Sequence, residues 1–391
     1  MAEPLDFDAH MKFDIEAIGE GFSPAEHNRV MVPTYPKRLV FLVMILVSFL
    51  MAQSAVAAGP PTVENDRGFV AKIPLMEWTA VAAQKGWLQE EFARYGAKTE
   101  LVDEGAVSSA KNGVEASLLY TGGLHFASRM QYPALLHRIN GLDAVVIWEA
   151  SRVSPRQNVL LVLKDAPINN LQDLKGKNLG SWRVSCMYFS AYEILKKGGV
   201  PLDTDLRPGQ VHFVSVQGKA GVQALLAHRI DVLSAHPSIP FITALYSQGL
   251  VKEIAQNDPK GAYVAGGGRV SYFVIRSFAE QHPLLVKAFL QTRERTVPWI
   301  LAHPDEASEI IARQLRETPE VAKFDIVDSS SYAYLAGEPS ADKIVKSIAG
   351  FQKWAIDNGD DFLISKHLSD AEVTQFVDRR FFKGGQYSIY K

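Results

Sequence analysis

Cysteine is almost absent from this chain, which has one, Cys186, among 391 residues. A single thiol cannot form an internal disulfide, so no disulfide framework holds the protein, even in an oxidising compartment. The net charge is also small, at −2, from 41 basic and 43 acidic side chains. Nucleic-acid-binding domains usually carry a basic excess, and we therefore expect no nucleic-acid partner.

Long hydrophobic runs are scarce as well, and one near the N-terminus, Leu39–Met51, stops after 13 residues. A helix needs about 20 apolar residues to span a bilayer, so this run is too short for a stable anchor. Lys37 and Arg38 precede it, and the small residues "AQSAVAAG" follow. This order predicts a signal peptide that is cleaved after Ala57 or Ala58, and hence an exported protein. An uncleaved membrane anchor is the alternative.

The segment ahead of that run is rich in acidic residues, unlike the start of a signal peptide. We therefore hypothesise that synthesis starts at Met31, with residues 31–58 as the signal peptide proper and residues 1–58 absent from the mature protein. The cleavage site has no cysteine, which argues against a lipid anchor of the bacterial lipoprotein kind. N-terminal sequencing of the precursor would test the start site.

Strand and helix patterns alternate over much of the remaining chain. Two continuous apolar runs, "DAVVIWEA" and "NVLLVLKD", predict strands that are buried on both faces. The run "VEASLLYTGGLHF" predicts a further strand that ends at a Thr-Gly-Gly turn. From "HPLLVKAFLQT" onward, helical patterns dominate. The sequence therefore predicts an α/β protein with a helical C-terminal region.

Several segments, taken in order, resemble a known family. "PINNLQDLKGKNLGSW" resembles the entry into the second lobe of periplasmic solute-binding proteins of the nitrate, sulfonate and taurine type. "VHFVSVQGKAGVQALLAHRIDVLSAHP" is similar to a strand–helix–strand segment of that family. "EQHPLLVKAFLQT" and "WILAHPDEASEII" resemble its C-terminal helices. The resemblance covers nearly all of the chain beyond the signal peptide, and it depends on this order rather than on one motif.

The resemblance implies a type 2 periplasmic-binding-protein fold, with two lobes, a central cleft and a two-strand hinge. Residues 65–166 and 267–391 would form lobe 1, and residues 167–266 would form lobe 2. A small organic anion, sulfonate-like or a carboxylate, would bind in the cleft and pass to the permease of an ABC transporter. We expect a monomer without a cofactor or a metal.

Five loops at predicted strand ends are candidates for the cleft, because ligands of open α/β sheets bind outside the carboxyl ends of strands. The candidate ligand-binding residues are Glu77, Trp78, Thr79, Tyr120, Thr121, Gly122, Trp182, Arg183, Ser185, Cys186, Tyr188, His236 and Gly267.

The loop from Trp182 to Tyr188 provides the main chemistry of this predicted site. Ser185 is placed to cap a helix, whose first N–H groups and partial positive charge suit an oxyanion. Arg183 can add a bidentate bond to a carboxylate or sulfonate. Family members tend to have small residues in this loop, whereas this chain has large ones. We therefore expect an organic anion with an apolar or aromatic body rather than nitrate.

Each of the other loops also has a structural interpretation, which the sequence leaves open. Trp78 could be a packing residue, and Glu77 could be an acid that complements a helix dipole. The turn at Gly122 could be an ordinary tight turn, and His236 could be packed or solvated. The glycines around Gly267 could belong to the hinge.

An enzyme on the same fold is the alternative function, with Cys186 as the nucleophile. A helix N-terminus and an arginine would lower its pKa. The aromatic-sulfinate desulfinases use the two-lobed fold that the resemblance implies. Their nucleophilic cysteine lies in the first strand-end loop, where this chain has "IPLMEWTA". Their Arg-x-Gly-Gly motif is also missing, since the nearest match here is Arg129-Met130-Gln131. The cysteine-rich signature of the thiamine-pyrimidine synthases is absent too, and we expect a binding protein.

Overall fold

The computed structural model describes residues 66–103, 113–151, 158–183, 185–204, 208–216, 218–237, 239–258, 260–328, 335, 337–358, 364 and 366–390. The predicted signal peptide and its cleavage site lie outside these residues. Within them, no helix is both long and apolar enough to cross a membrane.

The described strands fall into three sheets. They are β1 Val70–Pro74, β2 Lys98–Val102, β3 Ala127–Met130, β4 Ala144–Glu149, β5 Val159–Leu163, β6 Asn178–Ser181, β7 His212–Ser215, β8 Val232–Ala235, β9 Val251–Gln256 and β10 Val270–Ile275. β1 and β2 form a parallel pair, and β10 lies between β3 and β4, antiparallel to both. The third sheet has the order β7-β6-β8-β5-β9.

Helices cover these sheets and form most of the C-terminal region. They are α1 Glu77–Gln84, α2 Trp87–Ala93, α3 Gly113–Thr121, α4 Gln131–Ile139, α5 Cys186–Lys197, α6 Gly218–Leu226, α7 Pro240–Ser247, α8 Arg276–Gln281, α9 Pro283–Ala302, α10 Pro304–Leu315, α11 Pro319–Lys323, α12 Ala341–Asn358 and α13 Asp370–Gln375. The predicted α/β class and helical C-terminal region are confirmed.

One predicted strand is wrong. The run that begins at Val114 forms helix α3 instead of a strand. Glu, Ala and Leu are strong helix formers, and the run is long enough for either structure. Gly122, at φ 68°, follows the last helical residue, as is common for a glycine in the left-handed conformation.

The five-stranded sheet shows where the chain first crosses between sheets. Strands β6, β7 and β8 are parallel, whereas β5 runs antiparallel to β8 and β9. The predicted boundary at Ala166 would leave β5 with the first lobe, but its pairing joins it to the second. We therefore place the first crossing ahead of Asn158. The return crossing lies between β9 and β10 and contains a π-helical turn, Tyr263–Gly267.

An aromatic cluster packs around the return crossing. The ring of Phe189, on α5, lies 5.3 Å from that of Tyr132 on α4, centroid to centroid. Phe351 and Trp354, on α12, lie 4.9 and 5.4 Å from Phe189 and meet it edge to face. Helices from both sides of the crossing therefore share one apolar contact region.

Candidate functional site

The carboxyl ends of three parallel strands meet at one edge of the five-stranded sheet. Ser181 ends β6, Val216 follows β7, and Ala235 ends β8. These residues line a small cavity of about 30 Å³ together with Trp182 and Met187. This is the edge at which open α/β sheets bind ligands.

Helix α5 begins at this edge, and its first turn is capped as predicted. Ser185 is the residue before the helix, and its Oγ accepts a hydrogen bond from the Tyr188 N–H at 3.2 Å. The same Oγ donates to the Trp182 carbonyl at 2.5 Å, which fixes the turn. The first turn contains no acidic residue, so no side-chain charge there offsets the positive end of the helix dipole.

Arg183 lies beside this helix end, over two aromatic rings. Its guanidinium carbon is 5.2 Å from the ring centre of Phe213 and 5.9 Å from that of Tyr188. Tyr188 itself is fully buried and meets Phe213 edge to face. The aromatic pair therefore supports the arginine, and Tyr188 is placed as a core residue beneath the predicted site. Trp182 and Arg183 remain partly exposed.

This turn faces the first lobe. Burial raises the pKa of Tyr132 on α4, Tyr188 raises it further, and the charge of Arg183 lowers it. Arg129, on β3, likewise acts on Cys186 by lowering its pKa. The ring of Phe189, in the first turn of α5, lies 5.3 Å from that of Tyr132, centroid to centroid, so the start of α5 packs against α4.

Cys186 has the environment of a packing residue. Burial raises the pKa of its thiol to about 11, against smaller opposing effects from the neighbouring Asn158 and from the backbone. A nucleophilic cysteine needs its thiolate near neutral pH, and burial here disfavours that form.

The loop after β1 serves the core of the first lobe. Trp78 is buried, donates its Nε1–H to the Tyr272 hydroxyl at 3.1 Å and lies edge to face with Phe289. Thr79 is also buried, and its Oγ1 accepts from the Met76 N–H and donates to the Pro74 carbonyl, both at 2.7 Å. These contacts support the packing interpretation of Trp78.

Glu77 differs from its neighbours because it is only partly buried, in the first turn of α1. It lies close to a second carboxylate, Glu317, which follows α10. Burial raises the pKa of Glu317 to about 7, and the negative charge of Glu77 adds to the shift. The pair provides negative charge at the carboxyl end of β1, where a positively charged group could bind.

Tyr120, Thr121 and Gly122 lie elsewhere. Their segment ends helix α3, so the expectation of a strand-end loop is wrong. The Tyr120 hydroxyl donates to the Gly141 carbonyl at 2.7 Å and accepts from the Asp143 N–H at 3.3 Å. Asp143 precedes β4, whereas the crossing to the second lobe follows the other end of that strand. The structure therefore does not bring these three residues to the turn at Ser185.

His236 and Gly267 are the two remaining residues that the sequence predicts for the ligand site. His236 is buried directly after β8, at the same sheet edge as Ser181. Gly267 ends the π-helical turn, and a Cβ there would lie 2.7 Å from a ring carbon of Phe189. The glycine allows the return crossing to pack closely against α5, which supports its interpretation as a hinge residue.

A buried carboxylate at the end of β4 was missed from the sequence. Glu149 accepts hydrogen bonds from Gln131 Nε2 at 3.0 Å and from Ser271 Oγ at 2.7 Å. Burial raises its pKa to about 7, although these bonds and Arg269 lower it. The only sequence signal was an acidic residue within the apolar run "DAVVIWEA". Its partners come from distant segments, which a local pattern cannot reveal.

Comparison with known proteins identifies the family. The NMT1/THI5-like family model matches residues 78–307. The chain belongs to this family. Its sequence is 31% identical over 146 residues to the taurine-binding periplasmic protein of Escherichia coli (strain K12). That alignment spans 37% of this chain and 42% of the E. coli protein, so it covers less than half of either.

Solved structures show the fold. The alkanesulfonate-binding protein SsuA from Xanthomonas axonopodis pv. citri, bound to MOPS, matches with a TM-score of 0.63 and 15% identity over 80% of this chain and 99% of SsuA. A DszB mutant in complex with biphenyl-2-sulfinic acid matches with a TM-score of 0.54 and 12% identity, over 84% and 97%. At these identities the likeness concerns fold alone, and it confirms the predicted two-lobed periplasmic-binding-protein fold.

Proposed function

We propose that this NMT1/THI5-like protein is an exported solute-binding protein, which captures a small organic anion between its lobes and delivers it unchanged to an ABC transporter permease. One observation carries the proposal: the start of α5, capped by Ser185 and flanked by Arg183, lies at the carboxyl ends of parallel strands and packs against helix α4 of the first lobe. The unpaired N–H groups of a helix N-terminus and a guanidinium are both donors for an oxyanion.

The export and delivery steps rest on different support. The predicted signal peptide at residues 31–58 supports a periplasmic location, as do the relatives named as periplasmic proteins. Delivery to a permease follows from the role of ABC-transporter solute-binding proteins, which the sequence resembles. Closing of the lobes around the ligand would be a hinge motion, in which the ligand favours the closed state.

The ligand would be a sulfonate or a carboxylate with an apolar or aromatic body. A second candidate is an amino-sulfonate, because Glu77 and Glu317 place negative charge at the carboxyl end of β1. The name of the taurine-binding relative supports this candidate. An ammonium group would be attracted to the negative charge of that pair.

Arg183→Ala tests the anion site. We expect the variant to lose about 1.5–3 kcal/mol of binding free energy, because it removes charge-assisted hydrogen bonds. A thermal-shift screen of alkanesulfonates, amino-sulfonates and carboxylates would first find the ligand, and calorimetry would then give the dissociation constants. Arg229→Ala, at an exposed position outside the turn, is the matched control. An unchanged dissociation constant for Arg183→Ala would remove that residue from the site.

Turnover is tested separately. A binding protein returns its ligand unchanged, whereas a desulfinase releases sulfite from an arylsulfinate. We expect no sulfite from aromatic sulfinates, because burial keeps the Cys186 thiol protonated near neutral pH. Sulfite release that Cys186→Ser abolishes would establish the enzyme instead.

A further inference from the structure

A second concave region lies away from the turn at Ser185. It is a groove of about 810 Å³ between α12, the C-terminal half of α5 and the return crossing. We call it the hinge groove. A helix rises about 1.5 Å per residue, so Lys196 on α5 lies roughly 16 Å along the axis from Ser185. The hinge groove also shares no lining residue with the cavity at Ser181, so it is separate from the turn at Ser185.

The lining of the hinge groove is strongly basic. Its cationic side chains are Lys196, Lys197, Lys260, Arg269, Lys343 and Lys346. The lining also contains two acids, and both have partners. Asp258 forms an ion pair with Lys197, and Glu193 accepts hydrogen bonds from the Ala262 and Tyr263 N–H groups.

Several of these cations are placed to form an ion pair or a hydrogen bond with an anionic ligand. Lys343 and Lys346 are exposed and form no ion pair with another described residue. Arg269 is 4.0 Å from Glu149, but its buried Nε has no hydrogen-bond partner within the described part of the chain. An unsatisfied guanidinium nitrogen at the wall of a groove is a donor that an anion could satisfy.

Apolar surface forms the floor between these cations. Phe351 and Trp354 lie on the groove side of α12 and pack against Phe189. Gly350 lies beside them, and a Cβ at this position would have no atom within 4 Å. The groove is therefore open above an aromatic floor, with cations along its rim.

We propose that the hinge groove binds a second small organic anion, with a flat apolar body on Phe351 and Trp354 and an acidic head group at Arg269, Lys343 and Lys346. Its volume falls within the roughly 300–1,000 Å³ of small-molecule sites. It is lined by 16 residues, fewer than the roughly 20–30 per partner of a stable protein interface. The combination of charge and aromatic surface favours a sulfonate or carboxylate on an aromatic frame over inorganic phosphate.

The fluorescent sulfonate anilinonaphthalenesulfonate is a suitable probe, measured on the whole mature protein. We expect the probe to bind saturably at one site in the groove. The double variant Lys343→Glu with Lys346→Glu should lower the affinity for the probe roughly tenfold or more. The control is Lys353→Glu with Lys366→Glu, which makes the same charge change at exposed lysines outside the lining. Gly350→Leu should abolish groove binding while the protein still folds, because its side chain enters open space.

The outcomes separate this proposal from the proposed ligand cleft. Groove binding predicts that Arg183→Ala leaves the probe affinity unchanged, whatever it does to the transported ligand. Loss of the probe in Arg183→Ala but not in the groove variants would put the probe in the cleft and overturn the proposal. Equal affinities in the groove and control variants, or no saturable binding, would also overturn it. Groove variants that keep the probe but no longer bind anionic phospholipid vesicles would assign the groove to a membrane surface, and this result would also overturn the proposal.

Discussion

The loops after β1 and after β6 have the same plan but different uses. Each joins a strand to a helix, and each has a tryptophan and a hydroxyl side chain close to the helix start. In the first loop Trp78 is buried and Glu77 places a carboxylate in the first helical turn. In the second loop Trp182 is partly exposed, and the first turn has no acid.

The charge at the helix start is the difference that matters for function. A carboxylate in the first turn complements the positive end of the helix dipole and repels an anionic ligand. The start of α5 has Arg183 beside it instead, so it can accept an anion. The first lobe thus has an acid at this helix start, and the second lobe has the proposed anion-binding turn.

The largest expected effect is on the free energy of unfolding, and it compares the two tryptophans. Trp78→Ala should lower the free energy of unfolding by about 3–5 kcal/mol, because it leaves a cavity beside Phe289 and removes the donor to Tyr272. Trp182→Ala, at a partly exposed position, should cost less than about 1 kcal/mol. Urea denaturation measures both. Trp78→Phe serves if the alanine variant does not fold, and equal losses at the two positions would contradict the comparison.

Transferring the acid from one loop to the other sharpens the comparison. Met187→Glu puts a carboxylate in the first turn of α5, as Glu77 does in the first turn of α1. We expect the affinity for the organic anion to fall by roughly tenfold or more, because like charges repel across the binding turn. Met187→Gln matches the shape without the charge and should keep most of the affinity. Similar dissociation constants for the two variants would show that the helix start does not contact the ligand.

The sequence predicted the second loop better than the first, for a physical reason. Ser185, the helix that follows it and the strand before it are neighbours in the chain, so local capping rules apply. The burial of Trp78 depends on Tyr272, which is 194 residues away. No local pattern contains that contact, and the sequence therefore left the role of Trp78 open.

Two further features lay beyond local patterns. The apolar run that became α3 satisfies both helix and strand preferences, and its packing decides between them. Strand β5 was predicted correctly as a strand but assigned to the wrong lobe, because its partners β8 and β9 follow it in the chain. The order of elements, by contrast, was enough to predict the fold.

The smallest expected effect concerns the acidic pair of the first lobe. Burial, with a contribution from Glu77, raises the pKa of Glu317 to about 7, above its ordinary value of 4.5. The folded protein then binds more protons than the unfolded chain between these two values, so stability falls as the pH rises from about 4.5 to about 7. After allowance for solvent screening, the loss is about 1 kcal/mol.

Glu317→Gln should remove that loss, because the amide does not ionise. Urea denaturation at pH 5 and pH 8 gives the difference, and the comparison with the parent protein cancels the similar contribution of Glu149, whose pKa is also about 7. Glu320→Gln is the control, since hydrogen bonds from its own N–H and from Thr318 lower the pKa of that exposed carboxyl. A parent-like pH dependence in Glu317→Gln would mean that Glu317 is not a group with a raised pKa, and the case for an ammonium-bearing ligand would lose its structural support.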